Sequence, residues 1–503
     1  MRMTARRGGI LALATSLVLV GCTSPVENTE PVSLGSFPTE WATYYEQELT
    51  WQDCEEDFVC ADVAVPMDWS DPSSPAISIA LIKHEATDNS LGSLFVNPGG
   101  PGASGVSFVA DSIDYVVSKE VKKRYDVIGF DPRGVGLSDA VECFDTEAQV
   151  DEFLFGTSQT PRASAQWFEE RQASIDEFVT SCSEKSGDLL RFLDSVSAAR
   201  DMDVLRYVTE NRYLNFAGFS YGTLLGALYA EEFPGNVGRF VLDGAMDPAS
   251  TSADVSLSQA VGFESALRAY LADCLEQTNC PFSGTVDQAM SEITQLLQQL
   301  DATPLSSSDP RLLGADAMVT AIAAPLYTPD AWPFLTEVFT GVLQGDPENA
   351  WIAVDWYYNR IEGEYQDNST EAFIAVNCLD YPVSDDPAQW AADASRTAEA
   401  APVIGPYLAW GEQLCLSWPA YGLRTPAPVS AEGSAPIVVI GTTGDPATPY
   451  HWAVELADQL SNARLITYDG EGHTAYNKGV TCVDDAVDAY LVQGVIPPRE
   501  LLC

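Results

Sequence analysis

One stretch near the middle of the chain constrains the fold more than any other, the Gly-Phe-Ser-Tyr-Gly motif at residues 218–222. It follows a short β-like run at residues 213–217 and leads into an apolar helical pattern at residues 223–229. A serine between two glycines at a strand-to-helix junction indicates a sharp turn that presents the serine as a nucleophile. Both glycines are needed, because side chains there would collide with the neighbouring strand and helix. Ser220 is the predicted nucleophile.

Strand-like and helix-like patterns alternate on both sides of this turn. The strand-like runs are residues 76–84, 92–96, 125–130, 213–217, 238–243, 436–440 and 464–468. Helix-like stretches separate several of them, including residues 195–208 directly before the Ser220 strand. This order predicts a mostly parallel, doubly wound sheet, so the expected fold class is α/β.

A long central segment breaks the alternation, because strand signals thin out and amphipathic helical patterns dominate. Its helix-like stretches are residues 256–277, 285–301, 331–344, 350–361 and 386–400. Since 503 residues exceed one compact core, we predict an inserted helical cap, or lid, over the mouth of the site. The expected division is a signal peptide (1–21), a tether (22–40), a first core part (41–247), the cap (248–428) and a C-terminal core part (429–503).

The first 21 residues have the pattern of an export signal. Arginines at positions 2, 6 and 7 precede an apolar run at residues 10–20 that is too short for a permanent membrane span. The following Cys22 resembles the lipidated cysteine of a bacterial lipoprotein signal, and an ordinary signal peptide with an incidental cysteine is the alternative. We therefore expect a lipid anchor at Cys22 as the only membrane contact. The protein is then expected in the cell envelope, on the outer face of the cytoplasmic membrane, or released from the cell.

Cysteine usage agrees with export. Ten cysteines remain besides Cys22, and an even number in an exported chain indicates five disulfides. Close spacing, and pairing along the chain for the other six, gives Cys54–Cys60, Cys143–Cys182, Cys274–Cys280, Cys378–Cys415 and Cys482–Cys503. Neither a CxxC nor an HExxH motif occurs, so we expect no metal ion and no cofactor.

The charge of the chain is strongly negative. It carries 25 basic and 73 acidic residues, and removing residues 1–21 takes away three arginines and no acid, which changes the net charge from −48 to −51. Such a surface repels phosphates, so nucleic acid is excluded as a partner. Most of the carboxylates are expected to form a hydrated surface on a monomer, and attraction of cationic substrates such as peptide amino termini is a second interpretation.

Only three histidines compete for the role of general base. A serine nucleophile of this architecture needs its acid and then its histidine later in the chain. His84 precedes Ser220, and His451 lies where a helix starts. His473 lies in a Gly-flanked loop directly after the last strand, at the edge of the sheet where a catalytic base must emerge. His473 is therefore the predicted base.

Asp445 is the predicted acid, because it follows the strand at residues 436–440 and can accept the second ring N–H of His473. An N-cap role is the alternative, but Thr448, just before Pro449, fits a helix cap better. Asp469 and Glu471 are rival acids, less well placed because they are sequence neighbours of the histidine.

Two Gly-rich loops follow early strands. The first, residues 97–105, lets backbone N–H groups approach a ligand, and we expect the N–H groups of Gly100 and Tyr221 to hold the oxyanion. The second loop, residues 131–138, contains Asp131 and Arg133, which are expected to stabilise it as an ion pair.

Taken together, these motifs resemble the secreted tripeptidyl aminopeptidase branch of the prolyl-iminopeptidase-like α/β-hydrolases, which are serine peptidases. The resemblance spans nearly the whole chain after residue 21. The matching segments are Asn-Pro-Gly-Gly-Pro-Gly at 97–102, Gly-Phe-Asp-Pro-Arg-Gly at 129–134, Gly-Phe-Ser-Tyr-Gly-Thr at 218–223, Cys-Leu-Asp at 378–380, Asp-Pro-Ala-Thr-Pro at 445–449 and Gly-Glu-Gly-His at 470–473.

The resemblance implies the same triad and a lid, and it is strongest to mycobacterial-type lipoprotein serine hydrolases with protease and esterase activity. One position departs from the pattern, since prolyl iminopeptidases have a histidine where this chain has Pro98. Strict specificity for a single proline is therefore not expected. In similar aminopeptidases an acidic lid residue anchors the substrate ammonium; Asp380 is the candidate here. Its alternatives are Glu362, Glu364 and Glu371.

The sequence thus favours an exported serine exopeptidase that releases di- or tripeptides from free amino termini through an acyl-enzyme. A carboxylesterase or lipase acting on envelope lipids or small esters is the alternative, because the same triad serves both reactions. A non-catalytic binding lipoprotein is disfavoured, because every triad and oxyanion position is filled.

Overall fold

A ten-stranded sheet organises the protein in the computed structural model, which describes residues 34–503. The predicted signal peptide, Cys22 and most of the tether lie outside the described residues. The strands are β1 (Gln52–Glu55), β2 (Phe58–Pro66), β3 (Ala76–His84), β4 (Ser93–Asn97), β5 (Asp126–Phe130), β6 (Leu214–Phe219), β7 (Val237–Asp243), β8 (Arg360–Ile361), β9 (Glu364–Tyr365), β10 (Ile437–Gly444), β11 (Ala463–Glu471) and β12 (Glu500–Leu502).

The order of the large sheet is β1-β2-β3-β5-β4-β6-β7-β10-β11-β12, and β8 pairs with β9 in a separate hairpin. Seven strands of the large sheet run parallel to one another: β5, β4, β6, β7, β10, β11 and β12. Strands β1, β2 and β3 add an antiparallel edge beside β5. The predicted α/β class with a mostly parallel sheet is confirmed. The sequence patterns missed β1, β2 and β12.

Helices cover both faces of this sheet and form most of the segment between β7 and β10. The α-helices are α1 (Ala42–Tyr45), α2 (Gly105–Val116), α3 (Lys119–Arg124), α4 (Glu147–Phe155), α5 (Ala165–Ser186), α6 (Ser195–Val208), α7 (Tyr221–Glu232), α8 (Ser252–Cys274), α9 (Val286–Ala302), α10 (Ala315–Leu326), α11 (Trp332–Leu343), α12 (Glu348–Tyr357), α13 (Ser369–Asp380), α14 (Pro387–Ala400), α15 (Gly405–Leu408), α16 (Tyr450–Gln459) and α17 (Thr481–Asp488). Within residues 34–503 we find no helix long and apolar enough to span a bilayer.

Local sequence accounts for several of these boundaries. Asp194 caps α6 by accepting a hydrogen bond from the Ser197 N–H, and Thr285 caps α9 in a reciprocal pair with Gln288. Strand β6 is almost wholly buried, as expected for a central parallel strand. The helix after it begins at Tyr221, immediately beyond the predicted nucleophile.

Two buried apolar clusters pack on the sheet, and a third lies among helices α8 to α12 with Phe155 of α4. The third cluster gives the helical segment a core of its own. All five predicted disulfides are present, which confirms the predicted pairing.

The loop after β5 is held differently from the predicted ion pair. Arg133 is buried and pairs with Asp201 of α6 at 2.6 Å. Asp131 instead accepts hydrogen bonds from the Ser104 hydroxyl at 2.6 Å and the Val106 N–H at 3.0 Å. The predicted Asp131–Arg133 pair is therefore wrong.

Candidate active site

Ser220 lies in the tight turn between β6 and α7, with backbone angles φ +56° and ψ −125°. Its N–H donates to the Asp243 carbonyl at 2.9 Å, which ties the turn to β7. A Cβ at Gly218 would strike the Gly222 carbonyl, and one at Gly222 would lie 2.7 Å from the Asn97 carbonyl. The turn therefore requires both glycines.

His473 and Asp445 emerge from neighbouring strands at the carboxyl edge of the sheet, after β11 and β10. The His473 Nδ1 atom lies 2.9 Å from each carboxylate oxygen of Asp445. Asp445 is almost fully buried, and its Oδ1 accepts the backbone N–H groups of Ala447 and Thr448 at 2.9 Å. These bonds fix the carboxylate so that it can orient the imidazole.

The pKa of His473 reflects opposing effects. Burial lowers it, but the charge and hydrogen bond of Asp445, and then the charge of Asp243, outweigh burial and raise the pKa above its ordinary value. A raised pKa makes the imidazole a stronger base, provided that the pH is high enough to leave it neutral.

A second carboxylate, that of Asp243, lies close to this histidine and was not predicted as a site residue. Asp243, the last residue of β7, is fully buried and accepts the N–H groups of Ala475 at 3.0 Å and Tyr476 at 2.8 Å. Burial raises the pKa of Asp243 to about 6, although these two N–H groups oppose the rise. Asp243 thus holds the backbone just after His473. The sequence signal was its place at the end of a strand beside the nucleophile strand.

The loop at residues 97–105 approaches the Ser220 turn closely. Gly99 has φ +105°, and a Cβ there would lie 2.6 Å from the Phe219 carbonyl and 3.0 Å from the Tyr221 N. Tyr221 is the first residue of α7, so its N–H has no intrahelical acceptor. Gly100 lines the same cavity as Ser220. Tyr221 thus follows the nucleophile directly, and Gly100 follows the glycine that packs against the turn. Their role in holding an oxyanion stays a prediction.

A cavity of about 1190 Å³ contains Ser220 and His473 in its lining. Cap residues contribute to the wall, and Tyr327 also contacts the histidine loop, because its carbonyl accepts the His473 N–H at 2.8 Å. Helices α4 and α5, which the sequence patterns did not predict, contribute another part of the lining. In the described chain we find no cluster of three or more histidine, cysteine or acidic residues suited to a metal ion.

Comparisons with known proteins agree with this geometry. The chain is 35% identical over 519 residues to the serine protease Hip1 of Mycobacterium tuberculosis, covering 97% of this chain and 96% of that protein. It is 36% identical to carboxylesterase B of the same species, covering 93% and 92%. Tripeptidyl aminopeptidase of Streptomyces lividans is 29% identical, covering 90% and 86%. The family model of TAP-like proteins matches residues 401–503.

The chain belongs to the TAP-like α/β-hydrolase family. As a serine hydrolase, this TAP-like protein needs a nucleophile, a base and an oriented acid. The structure pairs His473 Nδ1 with Asp445 and places His473 and Ser220 in the lining of one cavity. The roles of Ser220 as nucleophile, His473 as base and Asp445 as acid stay predictions.

In this TAP-like hydrolase Asp380 does not occupy the position expected for an ammonium anchor. It is 1% exposed, is absent from the cavity lining, and accepts hydrogen bonds from the Ser195 N–H at 2.9 Å and the Ser195 hydroxyl. Burial raises the pKa of Asp380 to about 6. The Ser195 hydroxyl also contacts the Tyr221 hydroxyl, so Ser195 links Asp380 to the residue that follows Ser220. The predicted anchor role is thus corrected.

The three alternative anchors, Glu362, Glu364 and Glu371, do not line the cavity either. The first two lie at the exposed β8–β9 hairpin, and the third lies on α13. The carboxylates that do line it come from other segments: Asp111, Glu152, Glu170, Asp301, Asp316 and Asp367.

Proposed function

We propose that this protein is an exported serine exopeptidase that releases short peptides from free amino termini through an acyl-enzyme. The observation that carries the proposal is the large cavity that joins Ser220 and His473 to an acidic wall. Six carboxylates and three cationic side chains line it, so the wall favours a substrate with a positive charge such as a peptide ammonium. The names of two relatives, a serine protease and a tripeptidyl aminopeptidase, support the same activity.

A carboxylesterase is the second candidate, favoured by the relative of that name. The Ser220 turn and the Asp445–His473 pair serve ester and amide hydrolysis equally, so only the substrates that the protein hydrolyses can distinguish the two activities. The experiment compares a fluorogenic tripeptide amide with a free amino terminus, its N-acetylated twin, and a short-chain ester.

We expect the free-amine amide to be cleaved about tenfold or more faster, in kcat/KM, than its acetylated twin. Acetylation removes the charge that the acidic wall attracts, and a charged hydrogen bond contributes a factor of this size. Ester hydrolysis without amide cleavage would transfer the assignment to the esterase. Equal rates for the two amides would remove the aminopeptidase from consideration.

The proposal includes export as a monomer and lipid anchoring through Cys22 to the outer face of the cytoplasmic membrane. The basic and apolar pattern of residues 2–20, which ends beside this cysteine, supports it. We expect wild-type protein to fractionate with membranes. The Cys22→Ser variant should lose most of its membrane association, because the acyl chains cannot attach to it. A Cys22→Ser protein that stays fully in the membrane fraction contradicts the anchor.

A further inference from the structure

One face of helix α5 forms a wall of the cavity and carries Arg171, which forms no ion pair with any residue that the structure describes. Residues Trp167, Glu170, Arg171, Ser174 and Ile175 line the cavity at the three- and four-residue spacing of a single helix face. The Arg171 Nε atom is shielded from solvent and has no hydrogen-bond partner among the described residues. A guanidinium N–H that is shielded from water and lacks an acceptor is unfavourable until an anion or another acceptor bonds to it.

The second arginine in the cavity has a different environment. Arg162 forms ion pairs of 2.8 Å with Asp301 of α9 and with Asp316 of α10. Its charge is therefore satisfied by the cap, and it joins α9 and α10 to the segment before α5. Arg171 forms no ion pair within residues 34–503.

The acid next to Arg171 is also occupied. Glu170 accepts hydrogen bonds from the hydroxyl groups of Ser158 at 2.6 Å and Thr160 at 2.7 Å, and from the Gln166 amide at 3.0 Å. These three hydrogen bonds hold the Glu170 carboxylate to nearby polar side chains and not to Arg171. The free cation on this wall is thus not a member of a local ion-pair network.

An aromatic side chain positions the guanidinium. Its central carbon lies 5.5 Å from the ring centroid of Trp167, within the range of a cation–π contact. Burial lowers the pKa of Arg171, with Asp316 opposing this effect and Arg162 adding to it, yet an arginine stays protonated at neutral pH. Arg171 is therefore a protonated guanidinium held in position, and its N–H donors match the two oxygens of a carboxylate.

We propose that Arg171 forms a carboxylate-binding subsite of the cavity, which selects peptide substrates that carry a negative group besides their amino terminus. The inference rests on the proposed peptidase function. It explains how a chain of net charge −48 can accept an acidic peptide: a local, unpaired cation offsets the repulsion of the surrounding field. The carboxylate has two possible sources, an Asp or Glu side chain or the free carboxyl terminus of a short peptide.

The test separates these sources. One set of substrates is fluorogenic tripeptide amides with Glu or Gln at each position in turn, and the other is tetrapeptides that end in a carboxylate or in an amide. We expect kcat/KM to favour the acidic member of at least one pair by about tenfold. Arg171→Gln should bring that ratio to about one, mainly by raising KM, and Arg171→Lys should retain part of it.

Arg268→Gln is the matched control, because Arg268 lies outside the cavity lining, is half-exposed on α8, and its loss changes the net charge equally. We expect it to leave every ratio unchanged. The subsite is overturned if wild-type and Arg171→Gln protein still cleave neutral free-amine peptides and show the same ratio of kcat/KM between acidic and neutral substrates. If wild-type protein cleaves no free-amine peptide, the proposed function fails instead. Turnover of neutral peptides and the melting temperature show that each variant is folded.

Discussion

The Ser220→Ala variant should lose about 10⁵- to 10⁶-fold in kcat on peptides and on esters alike, because no other group can form the acyl-enzyme. Its fold should persist. The bond from the backbone N–H of residue 220 to the Asp243 carbonyl does not involve the side chain, and alanine and serine both accept the strained turn at similar cost. KM should change little, since the cavity that binds the substrate is unaltered.

Initial rates, the melting temperature and labelling by a serine-reactive fluorophosphonate check this expectation. Ser107→Ala is the matched control, because Ser107 also lines the cavity but is exposed on α2 rather than held in the turn. We expect that control to keep nearly all activity and labelling. Retention of a hundredth or more of wild-type kcat in Ser220→Ala would assign the nucleophile to another residue, and loss of both labelling and turnover would exclude a purely binding role.

The positions of the candidate site residues could be predicted because these residues follow strands in a fixed order. Parallel strands bring their carboxyl ends to one edge, so the residues after β6, β10 and β11 had to converge there. With only three histidines in the chain, that edge left His473 as the base. Alternating patterns located the central strands for the same reason, since burial on both faces gives a strong signal.

The errors concern contacts between residues distant in sequence. Arg133 was paired with Asp131, two positions away, but its partner Asp201 lies on α6 and only the fold brings them together. Asp380 was chosen from a lid motif, yet α13 packs so that this carboxylate meets Ser195 rather than the cavity. A linear pattern places a residue on a helix, but it does not show which neighbour that helix will face.

The walls of the cavity were harder to predict than its catalytic edge. Helices α4 and α5 lie between β5 and α6, in a segment without the long apolar periodicity that marked the cap. Their role depends on Phe155, which joins the apolar cluster of α8 to α12, and on Arg162, which bonds to α9 and α10. These contacts bring α5, and with it Arg171, to the substrate cavity.

Asp445→Asn should be nearly as damaging as loss of the nucleophile, with kcat lowered by about 10⁴-fold. The amide oxygen of the variant can still accept the N–H groups of Ala447 and Thr448, which now donate to Oδ1. The amide NH₂ then replaces Oδ2, one of the two oxygens that lie 2.9 Å from His473 Nδ1. Because an NH₂ group donates to an unprotonated Nδ1, the variant favours the tautomer with its proton on Nε2, and that nitrogen cannot then accept the proton of Ser220.

The pH profile of kcat/KM tests this explanation independently of the rate. Burial lowers the pKa of His473, and Asp445 contributes more than Asp243 to the opposing rise, so removing the charge of Asp445 should lower the pKa. The neutral imidazole is the active form, hence the acid limb of the residual activity should move to lower pH. A shift to higher pH contradicts this electrostatic role of Asp445.

Asp243→Asn is the matched control for the loss of a buried carboxylate near His473. It also removes a charge that raises the pKa of His473, so its acid limb should move in the same direction. Because Asp243 bonds the backbone of residues 475 and 476 and not the ring, the tautomer of His473 is preserved and the loss in kcat should be only about 10- to 100-fold. Equal losses in the two variants would mean that Asp445 acts through the fold of the loop, whereas a much larger loss in Asp445→Asn assigns it the orientation of the catalytic base.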